Sequence, residues 1–330
     1  MKKCCFIIPY FGRFNNYFQL FLNSCRENPT FNWLIFTDDK SNYDYPENVR
    51  VVYTSFDKIV EQFQSKFDFK IALDRPYKLC DFKPTYGYVF EDYLKEYKFW
   101  GECDIDTLMG DLGKFLSDDF LDRFDKILCL GHLTIYRNTY ENNRVFMQPY
   151  REELMYKQVF SSPNSFGFDE EGTYGNINRI FKESGKKVFE EDLSLNFEVR
   201  RTHFVRTVHI TGSDIIGLDS FKNEKYINAL YIWNKGKVER YYIKHHKLVR
   251  EEFPYMHLQK RKMTLDKSIL SSNIYKIVPN AFLPLEVSEV TISNFSKIKK
   301  HIFCTHAFDV RWPIYKKRMQ DMFNSFKRKR

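Results

Sequence analysis

"YKFWGECDIDTLMGDL", residues 97–112, is an apolar, aromatic run that ends abruptly in two aspartates, Asp104 and Asp106, with one isoleucine between them. In an extended chain, side chains two residues apart face the same way. Two carboxylates are therefore brought together where a strand leaves a core, and their repulsion calls for a counter-charge. A divalent cation with a preference for hard oxygen ligands, magnesium or manganese, meets that demand. A cation with open positions can also take a diphosphate and neutralise the charge that builds as it departs. A nucleotide sugar has such a leaving group. An Asp-x-Asp tripeptide alone is common in loops and helix caps. Here the strand before it and the two βα units upstream set it apart.

Working outward, "CCFIIPYFG" (4–12), "FNWLIFTDD" (31–39) and "VRVVYTS" (49–55) read as strands closing in polar loops. Helical spacing separates or follows them at 17–28 and 57–67, and a helix with Pro84 in its first turn is expected over 83–97. Strands alternating with helices indicate βαβ units and a largely parallel sheet. Residues 124–138 read as a strand and loop, 176–185 as a helix closed by Gly185, and 200–245 as a β-rich segment with an Asn-Lys-Gly turn. In open parallel sheets, ligands collect beyond the carboxyl ends of the strands. Asp38-Asp39 and Asp104-Asp106 both follow strands and are expected on one edge.

Composition limits the alternatives. Of 330 residues, 43% are hydrophobic and 18% aromatic, which excludes general disorder. No apolar run reaches the length of a membrane-spanning helix. The start "MKKCCFIIPYFG" is too short in its apolar part for a signal peptide and reads as a buried first strand. Seven cysteines without a Cys-x-x-Cys pair point to reduced thiols rather than a disulfide framework or zinc site. The net charge of +9 is concentrated late, in 260–262, 297–301 and the last fifteen residues. Such an end suits an anionic membrane, a nucleic acid or a phosphorylated ligand, and equally a solvated tail.

The longer string "LCDFKPTYGYVFEDYLKEYKFWGECDIDTLMGDL" resembles glycosyltransferases of the GT-A fold, in particular the bacterial capsular-polysaccharide and lipopolysaccharide branch. The resemblance covers roughly residues 1–262. It implies an α/β, Rossmann-like fold with a mostly parallel central sheet and flanking helices. The catalytic domain would span 1–262, with a nucleotide-sugar half of about 1–112 and an acceptor half of about 113–262. Residues 263–330 would be a basic extension that associates with a membrane or a partner. The resemblance further implies that Asp106 binds the metal and that Asp104 touches the ribose or reaches the metal through water. Asp81 and Lys83 would contact nucleoside and donor sugar; their bland readings are a helix cap and a surface lysine. Pro9, Tyr10 and Phe11 with Thr37, Asp38 and Asp39 would cradle the base. His257 would complete the metal shell, with Lys260, Arg261 and Lys262 beside the diphosphate.

In "SFGFDEEGTYGNINRI" (165–180), Asp169, Glu170 and Glu171 precede a helix. A helix N-terminus tolerates acids through its dipole. The functional reading is a general base for an acceptor hydroxyl, and the resemblance implies Asp169 and Glu170. His132 and Arg137 are candidate acceptor contacts. The implied reaction moves a hexose, glucose or galactose in pyranose or furanose form, from a UDP sugar to a surface glycan. Inversion is favoured over retention. The acceptor would ride on a polyprenyl diphosphate at the inner face of a bacterial membrane, with the enzyme cytoplasmic and peripheral. Two rivals stand beside this. One is a single-stranded nucleic-acid-binding protein, against which the positive charge lies away from the aromatics, so no nucleic acid is expected as a partner. The other is a metal-dependent phosphodiesterase or nucleotidyltransferase, which needs further metal ligands that the sequence does not place.

Overall fold

The computed structural model describes residues 1–196, 204–209, 221–259 and 262–298, with Phe308, Trp312, Tyr315, Lys316 and Met319 beyond them. In chain order its strands are β1 (Lys2–Pro9), β2 (Phe31–Thr37), β3 (Val49–Tyr53), β4 (Tyr97–Cys103), β5 (Thr107–Met109), β6 (Lys126–Ile127), β7 (Leu133–Arg137), β8 (Val188–Phe189) and β9 (Leu195–Asn196). Then follow β10 (Thr207–His209), β11 (Phe221–Asn223), β12 (Ala229–Asn234), β13 (Lys237–Lys244), β14 (Lys247–Phe253), β15 (Tyr255–His257), β16 (Thr264–Leu265), β17 (Ile274–Val278) and β18 (Ala281–Pro284).

The main sheet has the order β3-β2-β1-β4-β7-β6-β8. β1 pairs in parallel with β2 and β4, β2 with β3, and β6 with β8, while β7 runs against β4 and β6. Apolar residues alternate to both faces of β1. Cys5 and Ile7 enter one core with Leu34, Phe36 and Trp100. Cys4, Phe6 and Ile8 enter the other with Trp33, Ile35 and Phe99. A strand buried on both sides reads as one continuous apolar run, which is why "CCFII" is central. From β1 the chain steps outward through β2 to β3 and returns on the other side as β4. The switch point therefore lies between β1 and β4, at their carboxyl ends.

The helices expected near 17–28, 57–67 and 176–185 form at Phe18–Arg26, Phe56–Gln64 and Ile177–Glu183. The one expected over 83–97 does not. It breaks into a 3-10 turn, Lys83–Thr85, and two single turns, Tyr86–Val89 and Glu91–Leu94, with the break at Phe90. Packing overrides propensity there. Phe90 stacks on Phe36 at 4.6 Å, and a Cβ on Gly87 would sit 2.2 Å from Trp100 Nε1. The strand and loop expected at 124–138 is instead the antiparallel pair β6–β7.

A second sheet, β14-β13-β12-β17-β18-β16, packs on helix Phe18–Arg26 and on the small sheet β5-β15-β9. Its β12–β13 hairpin uses the Asn-Lys-Gly turn, with Lys235 and Gly236 both at positive φ (46° and 75°), as a two-residue primed turn requires. The sequence reading ends the catalytic domain at 262, yet β16–β18 pair into this sheet beyond that point. The segments flanking β16 are tied to helix Phe18–Arg26 and the turn before it: Asn16 Nδ2 donates to Met263 O at 2.8 Å and Asn23 Nδ2 to Leu270 O at 2.9 Å. Among the described residues, no helix is long and apolar enough to cross a membrane.

Candidate active site

At the end of β4 the chain turns sharply. Asp104 N donates to His132 O at 3.0 Å, and Thr107 Oγ1 donates to Asp104 O at 2.7 Å. The chain re-enters as β5, and β15 returns from far downstream to lie antiparallel to it, with His257 opposite Thr107. Leu258 N donates to Asp106 O at 2.8 Å. This ladder leaves His257 Nε2 3.5 Å from Asp106 Oδ1 and 3.9 Å from Asp104 Oδ2. One ligand atom from each of Asp104, Asp106 and His257 lies within 4.8 Å of the other two. Asp106 and His257 are buried and Asp104 is partly open. Two carboxylates and an imidazole, closely spaced and open on one side, fit a divalent cation, manganese more comfortably than magnesium.

Behind His257 lies His132. The two rings stack with centroids 4.3 Å apart and planes 29° apart, and His132 Nδ1 is 3.1 Å from Tyr255 Oη. Burial first, then His257 and Lys83, hold the His132 imidazole well below its ordinary pKa. It is buried and lies flat against the His257 ring. Arg137, the other residue read as an acceptor contact, lies elsewhere. Because β7 runs against β4, Arg137 pairs with Phe99, four residues before Cys103 and about 13 Å from the site edge. Its guanidinium donates to Asp122 O and Phe124 O at 2.7 and 3.1 Å.

Lys83 opens the 3-10 turn Lys83–Thr85, two helical turns upstream of β4. Its Nζ donates to Asp104 Oδ1 at 2.8 Å and to Gly131 O, and lies 3.6 Å from Asp169 Oδ2 and 4.0 Å from Glu102 Oε2. Burial alone would lower its pKa; Asp104, Asp169 and Glu102 outweigh that and hold it well above the usual lysine value. Asp169 is buried against Gly131, where a Cβ would come within 2.1 Å of Oδ2. Burial pushes its carboxyl well up, Lys83 pulls it down, and Glu170, Glu102 and Asp81 reinforce the rise. Glu170 beside it is exposed. These acids precede the helix Ile177–Glu183, as expected, with a short loop between them and its N-cap Asn176, which accepts from Arg179 N at 3.2 Å. Glu171 is buried on Asn176 and Asn178 at 3.1 and 2.9 Å and has a structural task.

Asp81 departs from the donor contact expected of it. Fully buried, it receives Lys78 Nζ at 2.8 Å and the backbone N–H groups of Phe166 and Phe168 at 3.0 Å. It straps down the loop that presents Asp169 and Glu170. Around the end of β1, Asp38 accepts from Gly12 N at 2.8 Å, and Asp39 accepts from Phe14 N and Ser41 N at 2.9 and 2.8 Å. Asp39 N donates to Thr37 Oγ1 at 3.1 Å, and Tyr10 stacks on Phe14 at 5.1 Å. Pro9, Tyr10 and Phe11 are half-buried on this rim, which the two aspartates stiffen. Lys262 is exposed; Lys260 and Arg261 lie outside the described residues.

Sequence reasoning missed Glu102 and Gly131. Glu102 is wholly buried, accepts from Tyr136 Oη at 3.3 Å, and leaves Oε2 without a hydrogen-bond partner. Burial pushes its carboxyl up to about 8 against the pull of Lys83 and Lys126. The available signal was a glutamate inside an apolar strand, two residues before Asp104 and therefore on the same face.

Residues 6–286 match a family described as a family of unknown function (DUF6625). The chain belongs to that family. The DUF6625 match takes in Lys83, Asp104, Asp106, Asp169 and His257 and runs through β18, so it spans both sheets. No curated protein matches the chain. Among solved structures, galactosyltransferase LgtC in complex with donor and acceptor sugar analogs superposes at a TM-score of 0.33 and 11% identity, over 58% of this chain and 75% of that one. An active-site mutant of LgtC superposes at 0.32 and 10%, over 58% and 74%. At these scores the likeness is a partial superposition.

Proposed function

We propose that this DUF6625 chain is a divalent-metal-dependent glycosyltransferase that moves a hexose from a UDP sugar to a hydroxyl of a growing surface glycan, with inversion. One observation carries the reading: Asp104, Asp106 and His257 converge at the sheet's switch point, beside the buried Lys83–Asp169 pair. Asp106, His257 and Asp104 would hold Mn2+ or Mg2+. The chemistry such an ion supplies is neutralisation of the departing diphosphate.

The chain's own residues do the rest. The rim of Pro9, Tyr10, Phe11 and Thr37 receives the base. Lys83 keeps Asp104 and Asp169 from repelling each other. The acceptor oxygen attacks the anomeric carbon as the bond to the diphosphate breaks, and exposed Glu170 takes the acceptor's proton. Crowding by protein raises the Glu170 carboxyl, Lys83 pulls it down, and Asp104 raises it further; a raised carboxyl is a stronger base than an ordinary one. Asp169 orients the acceptor from its fixed seat on Gly131. The acceptor is a lipid-linked glycan, and the basic terminal sequence "KRMQDMFNSFKRKR" suits the anionic face of the membrane that carries it.

The test is hydrolysis of UDP-glucose and UDP-galactose in Mn2+ by wild type, Asp106→Ala and Glu170→Gln. The expected result is turnover of one donor, lost by more than about 100-fold in Asp106→Ala and abolished by EDTA. Glu170→Gln should retain donor hydrolysis more than transfer to an acceptor. Full turnover in EDTA would overturn the reading.

A further inference from the structure

Lys83 holds Oδ1 of Asp104, the carboxylate whose Oδ2 faces His257. Its ammonium has three donors. One goes to Asp104 Oδ1 and one to Gly131 O. The region of the third is bounded by Asp169 Oδ2 at 3.6 Å and Glu102 Oε2 at 4.0 Å. Glu102 Oε2 is buried and accepts no hydrogen bond, although an unsatisfied buried acceptor ordinarily costs about 1–3 kcal/mol. The other carboxylate oxygen is fixed by Tyr136 Oη, so Oε2 is held in place. A carboxyl keeps acceptor capacity even when it carries a proton, so this fixed oxygen without a hydrogen-bond partner, just beyond reach of the bound ammonium, is a seat for that ammonium in a second arrangement.

We infer that Lys83 is a resident counter-ion that moves from Asp104 to Glu102 when a divalent cation claims Asp104, and that Glu102 is the positioning residue that makes the exchange possible. This rests on the metal reading given above. The move is short, within the freedom of a lysine side chain, and breaks no covalent bond. Without the cation, Lys83 keeps Asp104 and Asp169 paired, so the site neither springs open nor buries naked charge. With the cation, Lys83 at Glu102 remains close enough to hold Asp169. Glu102 touches neither the cation nor the substrate and acts through Lys83.

Direct attraction of a cation by Glu102 predicts something different, and a double-mutant cycle separates the two. Mn2+ affinity is measured by electron paramagnetic resonance on the full chain in four proteins: wild type, Glu102→Leu, Lys83→Met and the double variant. Glu102→Gln, which keeps an acceptor and the volume, serves as the second substitution should the leucine variant not fold. The inference expects Glu102→Leu to weaken Mn2+ binding by about tenfold in the wild-type background and by less than about twofold in the Lys83→Met background. Glu102→Gln should fall between wild type and the leucine variant. Equal losses in both backgrounds, or no loss in either, would overturn it. Absence of Mn2+ binding by wild type, at the level of Asp106→Ala, would instead overturn the metal reading itself.

Discussion

Gly131 and Asp169 fit each other so closely that even a methyl group cannot come between them. Gly131→Ala therefore forces the Asp169 carboxylate aside and disturbs the Lys83 contact to Gly131 O, while most of the apolar core is untouched. Transfer activity should fall by tenfold or more with a melting loss of about 1–3 kcal/mol; activity within twofold of wild type would refute the tight seat. Glu102 makes a separate prediction about pH. Burial raises its folded-state carboxyl from 4.5 to about 8. Between those values the folded protein holds a proton that the unfolded chain releases. The contribution is complete below the unfolded pKa and is lost as pH rises through about 8. Thermal melts of Glu102→Gln should therefore gain on wild type from pH 5 to pH 8.5, by on the order of 5 kcal/mol at most. Parallel melting curves across that range would contradict it.

The element that matters most is the β5–β15 ladder, since it carries the imidazole to the aspartates. Gly110, just after β5, admits no Cβ because Phe253 O would lie 2.3 Å away, and its N–H donates to Pro254 O at 2.7 Å. Gly110→Ala should pry β15 from β5 and weaken Mn2+ binding at least tenfold, measured by titration calorimetry, although the substitution lies outside the triad. Unchanged binding would mean that His257 is held by other contacts. The contrast between elements also explains what the sequence disclosed. β1, β2 and β4 were legible because doubly buried strands are written as unbroken apolar runs, and Asp104-Asp106 because acids stand out at the end of one. The breaks within 83–97 were hidden, because they follow from Phe90 and Gly87 meeting Phe36 and Trp100, partners distant in sequence. Arg137 misled for a similar reason. Nothing local says that β7 reverses direction and carries its last residue to the opposite edge of the sheet.

At the scale of the whole molecule, two sheets and the N-terminal helix act as one support. Trp233 Nε1 of β12 donates to Met109 O at 2.9 Å, and Lys114 Nζ meets Glu252 Oε2 at 2.7 Å, so the second sheet grips the segment that follows the aspartates. A ligand bound at the switch point should thus stabilise the full fold. UDP with Mn2+ at about 100 times the dissociation constant should add roughly 3 kcal/mol to the unfolding free energy of wild type and none to that of Asp106→Ala. A thermal shift of equal size in both proteins would mean that the nucleotide binds somewhere else. His257 was singled out from the sequence by its basic neighbours, yet its fit with the aspartates depends on β9, β15 and β5 meeting in a three-stranded sheet, an arrangement only the folded chain reveals.

That three-stranded sheet also imposes a schedule on biosynthesis. The ribosome releases both aspartates long before the strand bearing the histidine, so a nascent or clipped polypeptide that lacks β15 carries Asp104 and Asp106 without the third member of the cluster. On the metal reading proposed above, ion capture would await the emergence of β15 and would tell chains that extend past His257 from those that stop short of it.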